Sequence, residues 1–336
     1  MTTTPSQPVG ATPGAHLARD PRTEARRLLA GRFDARVLEP SPPALTDDWF
    51  ADDPTDPTGA GLPVVGPTSA ADLTWDRWLG DYPEQSEWAA KRWLGAWRHL
   101  PRPPVTLAET RLALHRLGVY VLSPARRRAN GKIALRWTLG GIGTPFFGSD
   151  EQVRVVGTQI IRQVADTASA APITSLNDAA SFVLDGAPDL TWAAEFDVPP
   201  AGDLDAPLAV DRDASTWLGD WFGFGYSVLE ELRGEAESAE ASRVQLWVEH
   251  FDAAFECLSE SEGRRAGFGV SPGDAVNPEP YLYVMPWAFD RVPPSEMWNA
   301  ESFRGAVMPF SVLADAHDQR GAALMFFQER RALLAG

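Results

Sequence analysis

Residues 211–233 read DRDASTWLGDWFGFGYSVLEELR, and residues 243–249 read RVQLWVE. In the first stretch Ala214, Trp217, Leu218, Trp221, Gly225, Val228, Leu229 and Leu232 recur at helical spacing. Asp211 or Asp213 stands ready to accept from the first free N–H groups. Phe222, Phe224 and Tyr226 fall off that stripe, so this helix should be buried on most sides. Beyond an acidic loop at 234–241, strands are expected at 243–249, 267–270 and 281–287, and an amphipathic helix over 314–334. Long helices interspersed with runs of strands, without βαβ alternation, place the chain in the α+β class.

Working back toward the N-terminus, Thr106 and Glu109 have capping-box spacing before a helix over 107–122. Asn130-Gly131 signals a tight turn. After it Ile133, Leu135 and Trp137 should point inward while Lys132 and Arg136 point to solvent. Two short strands are expected about Gly157, a helix after Ser175, and irregular chain over 188–208. The Gly140–Gly143 run has no following helix to make it a phosphate loop, and reads as a turn. A helix before 133–137 and another before 244–248 echo one another. The architecture expected is therefore small antiparallel sheets on long helices, with pseudo-duplicated halves at 105–234 and 243–336.

Residues 73–336 form the expected body. Residues 1–72 are Pro/Gly-rich and read as an irregular arm with one helix over 20–38. The tryptophans at 75, 78, 88, 93 and 97 include a helical cluster over 84–99, read as core packing in preference to a stacking surface.

The chain has 336 residues, 30 basic and 46 acidic, for a formal charge of −16. Hydrophobic residues make up 44% of it, enough for a sizeable core. So acidic a balance argues against nucleic acid and anionic membranes as partners. No 18-residue apolar run and no secretory signal is present. The lone cysteine, Cys257, excludes an intrachain disulfide, and a cytoplasmic location is expected.

Three blocks resemble a group of uncharacterised actinobacterial proteins: Leu114-His115 through Arg126–Lys132 to Gly143-Thr144-Pro145, Leu246–Asp252 with Ser271–Asp274, and Glu279–Val284 with Pro286-Trp287. The resemblance covers the chain from about residue 106 and implies neither an activity nor a cofactor.

Between Arg111 and Arg136 lie seven basic residues and no acidic one. Arginine forks suit phosphate or carboxylate, so Arg126, Arg127, Arg128, Lys132 and Arg136 are candidates for an anion site. The alternative is internal neutralisation by the acidic 189–213 segment. Tyr281, Tyr283 and Trp287 are candidates for the aromatic lining of a pocket. The function these residues suggest is binding of a small anionic ligand, with hydrolase or transferase chemistry as an extension. A second reading is a protein-interaction module whose N-terminal arm recruits a partner.

Glu249-His250-Phe251-Asp252 carries the remaining chemistry. On a strand, His250 and Asp252 would share a face and could act as a catalytic pair, with Glu249 on the opposite face. The same residues with Asp274 could ligate a metal, as a third reading, although no diagnostic ligand spacing such as HExxH occurs. Glu279 and His317 are further ligand candidates, and Cys257 is read as a buried small hydrophobe.

Overall fold

The computed structural model describes residues 35–38, 64–67, 99–138, 141–145, 147, 151–164 and 167–336. Expectations for residues 1–34, for the tryptophans at 75–97 and for most of 39–72 lie outside them. Within the arm, strand β1 (Ala35–Leu38) pairs antiparallel with β2 (Val64–Pro67), so the helix expected to run through residue 38 does not reach it.

The body opens with helix α1 (Leu107–Leu117), which passes through a π-helical turn at Gly118–Leu122 into α2 (Ser123–Asn130). Proline at the start of α2 lacks an N–H. The carbonyl of Tyr120 instead accepts from the backbone N–H of Asp189 at 3.1 Å. The capping box does not form: Thr106 has φ −81 and ψ 1, away from the extended backbone of a capping residue, and its hydroxyl donates to the Asp211 carboxylate at 3.0 Å. Asn130-Gly131 ends α2 instead of turning a hairpin. Gly131 has φ 74 and its N–H returns to the Arg127 carbonyl, a left-handed C-cap that glycine adopts without strain.

Strands β3 (Arg136–Thr138), β4 (Gly141–Gly143), β5 (Glu151–Val156), β6 (Gln159–Val164) and β7 (Thr167–Pro172) form an antiparallel meander in chain order. The glycine run is thus partly strand. A Cβ on Gly141 would lie 2.0 Å from the Val155 carbonyl oxygen, so no other residue fits that close approach. Helix α3 (Leu176–Leu184), capped by Ser175, and the long α4 (Arg212–Gly234), capped by Asp211, follow as expected. A second meander contains β8 (Gln245–Trp247), β9 (Asp252–Cys257), β10 (Ala266–Ser271), β11 (Tyr281–Pro286) and β12 (Ala306–Pro309). The closing helix is two: α5 (Phe310–Ala314) and, after a break capped by Asp318, α6 (Gln319–Ala335).

The sheets meet at their first strands. Leu135 and Leu246 exchange both backbone hydrogen bonds, at 2.8 and 3.0 Å, where the end of one meander touches the other. Helix α4 packs on β3 and β4 of the first sheet and β9 and β10 of the second, so one helix serves both. Its glycine at 225 admits the second sheet closely, since a Cβ there would lie 2.3 Å from Val270. Trp217 and Trp221 stack at 5.8 Å, and the Trp221 indole N–H donates to the Ser271 carbonyl. On the α4 side the second sheet presents Leu246, Ala253, Phe255, Phe268, Val270, Leu282 and Val284, all fully buried.

The opposite, outer faces differ. On the first sheet the outer face is polar yet buried: Arg136, expected in solvent, is 4% exposed and donates to the Trp137 carbonyl at 2.9 Å. Strand alternation puts Arg136 opposite Leu135 and Trp137 as read, but does not reveal that this side is also covered. On the second sheet the outer face, carrying Trp247, Asp252, Gly269, Tyr281 and Tyr283, is half-open. No described helix is long and apolar enough to cross a membrane.

Candidate functional site

The outer face of the second sheet is organised by the turn between β8 and β9. Residues 248–251 form this turn, and Phe251 N–H returns to the Trp247 carbonyl at 2.6 Å. Phe251 has φ 56, an unusual conformation for a bulky residue. Tertiary packing holds it there: its buried ring stacks on His115 of α1 at 4.9 Å and meets Phe222 of α4 edge-on at 5.7 Å. His115 Nε2–H donates to the Val248 carbonyl at 2.8 Å, which fixes the tautomer. Burial lowers the His115 pKa to about 4, so the imidazole is neutral and structural.

His250 therefore does not share a strand face with Asp252. It stands exposed at the turn, while Asp252 begins β9 and is 6% exposed. Tyr283, two strands away, reaches across β10 and donates its hydroxyl to Asp252 Oδ2. The path lies over Gly269, where a Cβ would sit 2.4 Å from the phenol. Asp252 Oδ1 is buried with no hydrogen-bond partner, and so is Oε2 of half-buried Glu249. Desolvation pushes the Asp252 pKa up to about 6, and the charge of Glu249 adds to this, while the Tyr283 hydrogen bond, His250 and the residue's own backbone N–H oppose it. Burial and the adjacent carboxylate hold the Tyr283 phenol protonated, as its donor role requires.

A second tyrosine–aspartate pair lies along the same strand. Tyr281 donates to Asp274 Oδ2 at 2.8 Å, and Asp274 Oδ1 accepts from the N–H groups of Val276 and Asn277. Arg111 of α1 clamps this loop by donating to the carbonyls of Pro272, Asp274 and Pro278 at 3.1–3.3 Å. The rings of Tyr281 and Tyr283 lie 6.1 Å apart, and Phe303 meets Tyr283 edge-on. Two phenols thus lie along the line from Asp274 to Asp252, so the proposed three-ligand set of His250, Asp252 and Asp274 does not form. Among the described residues no group of three His, Cys, Asp or Glu is placed to hold a metal ion. Glu279 instead accepts from the backbone N–H and hydroxyl of Ser311 at the start of α5, and His317 is exposed. Cys257 is buried, with its pKa pushed up to about 11.

Trp287 ends the aromatic row at 51% exposure, beneath the Arg265 guanidinium at 5.3 Å. Arg265 in turn pairs with Glu256 at 3.1 Å.

The arginine island is largely engaged within the fold. Arg126 donates to the Ala134 carbonyl, Arg128 to the Leu184 carbonyl at 3.2 Å, and Arg127 lies 3.8 Å from Asp189. Arg127 and Arg128 sit in the last turn of α2, where the helix dipole is negative and favours cations without any external anion. Lys132 is exposed beyond the C-cap.

The outer face thus unites Asp252, Tyr281 and Tyr283 from the sequence reading with Gly269, which that reading did not place there, while Arg111 holds the Asp274 loop and Glu249 and His115 belong to the adjoining turn and to α1. The alternation of Tyr281 and Tyr283 with Leu282 and Val284 was the available signal for a shared face. No protein-family model, no curated protein and no solved structure matches the chain.

Proposed function

We propose that the protein binds a small ligand against the outer face of its second sheet, with Asp252 as polar anchor and Tyr281 and Tyr283 as aromatic wall. The observation that carries this reading is the Asp252 carboxyl: buried, held by Tyr283 through one oxygen, and lacking a partner at the other. Buried acceptors are paired as a rule, and an exception points to a functional group or a bound partner. A carboxyl titrating near 6 also changes protonation close to neutral pH, so acid–base chemistry on a bound molecule is within its reach. The arginine island is the weaker candidate, because Arg126, Arg127 and Arg128 already hold carbonyls or Asp189. A cytoplasmic setting belongs to the same proposal, since the single buried thiol asks for no oxidising compartment.

A thermal-shift screen of small molecules on wild type, Asp252→Asn and Tyr283→Phe tests it. A ligand that raises the wild-type melting temperature should lose its effect in Asp252→Asn and be weakened in Tyr283→Phe. A hit that stabilises all three equally would overturn the assignment.

A further inference from the structure

We infer that the ligand of this face carries a positively charged nitrogen, an ammonium or guanidinium group seated at the Glu249 and Asp252 carboxylates against the Tyr281–Tyr283 wall; this rests on the ligand-binding reading above. Two buried carboxylate oxygens, Glu249 Oε2 and Asp252 Oδ1, belong to residues three apart across one turn, and neither has a donor. An ionised carboxylate only accepts, so the missing partner must bring N–H or O–H groups.

The basic groups around the site do not fill this role. Arg111, from α1, is committed to three loop carbonyls. Arg265 pairs with Glu256 on β9. His115, from α1, is neutral and donates to the Val248 carbonyl. His250, exposed at the turn, acts on Asp252 through its charge and donates to neither orphaned oxygen. The remaining ionisable groups along the face are the Tyr281 and Tyr283 phenols, both held protonated, and Asp274, whose negative charge would repel an anion. Tyrosine rings attract cations over their faces, which suits the wall to the same ligand class. A cation would hold Asp252 ionised, so its affinity should fall as the pH drops below about 6.

The test uses the full chain and simple probes: methylguanidinium, ethylammonium, tetramethylammonium, glucose, acetate and inorganic phosphate, each by thermal shift and calorimetry at pH 7.5 and pH 5. Methylguanidinium or ethylammonium should bind at pH 7.5 and lose about tenfold or more in affinity at pH 5. Glu249→Gln and Asp252→Asn should each cost a similar factor while the circular dichroism spectrum stays unchanged. Tetramethylammonium, which has no N–H, should bind more weakly than either. If glucose, acetate or phosphate binds and Asp252→Asn abolishes it, the site stands and the cationic class is wrong. If no probe binds at millimolar concentration, or the cations bind equally to both variants, the ligand-binding reading falls with it.

Discussion

At Asp252 the pKa displacement is also a statement about stability. The folded chain keeps the carboxyl protonated up to about pH 6, whereas its ordinary value is 3.8. Folded stability from this group is therefore highest at low pH, falls as pH rises across that window, and above it is lower by about 3 kcal/mol. Asp252→Asn removes the charge and retains an acceptor for Tyr283. The variant should be more stable than wild type at pH 8, and the gap should close by pH 4; melts showing the same gap at both would refute the assignment. His115 has the opposite slope. Its folded pKa of about 4 lies below the ordinary 6.5, so its contribution is intact above 6.5 and is lost as pH falls toward 4. His115→Phe keeps the ring against Phe251 but orphans the Val248 carbonyl. It should cost about 1–3 kcal/mol at pH 7.5 and show a shallower acid-side decline. A decline as steep as wild type would place the acid sensitivity elsewhere.

Among the elements, α4 was the most legible because its whole signal is local: a capping aspartate, apolar residues at helical spacing, and a glycine where a sheet approaches. Gly225→Ala should lower stability by about 1–3 kcal/mol through overpacking against Val270, as read from chemical denaturation. Gly269→Ala, on the outer face, should instead displace the Tyr283 phenol and return Asp252 toward solvent. A carboxyl titration in that variant with an unaltered midpoint would show that the glycine is not what makes room for Tyr283. The 248–251 turn escaped the sequence because Phe251 adopts positive φ without being glycine. Its conformation comes from His115 and Phe222, 136 and 29 positions away along the chain. Thr106 and Glu109 form no capping box because Thr106 adopts φ −81 and ψ 1, away from the extended backbone a capping residue needs, where its hydroxyl meets Asp211 from more than a hundred residues downstream. Local patterns identify helices well, and they say little where a distant partner competes.

For the whole molecule, the α+β class and most strands followed from alternation and helical spacing, while the use of the outer faces did not. Alternation assigns side chains to two faces without saying which face is covered, hence Arg136 read as exposed and Asp252 paired with His250, when its partner in the fold is Tyr283. The two meanders share helix α4 and the Leu135–Leu246 seam, so they should unfold as one unit. Leu246→Ala, at a fully buried seam position, should cost about 2–5 kcal/mol and leave a single cooperative transition. Two separated transitions in calorimetry would mean that the sheets fold independently. The most direct measurement of the central claim is a carbon-13 carboxyl titration of Asp252 by NMR, with and without methylguanidinium. A midpoint near pH 6 is expected in the free protein, and a lower one when the cation is present. A midpoint near the ordinary 3.8, unmoved by the cation, would contradict it.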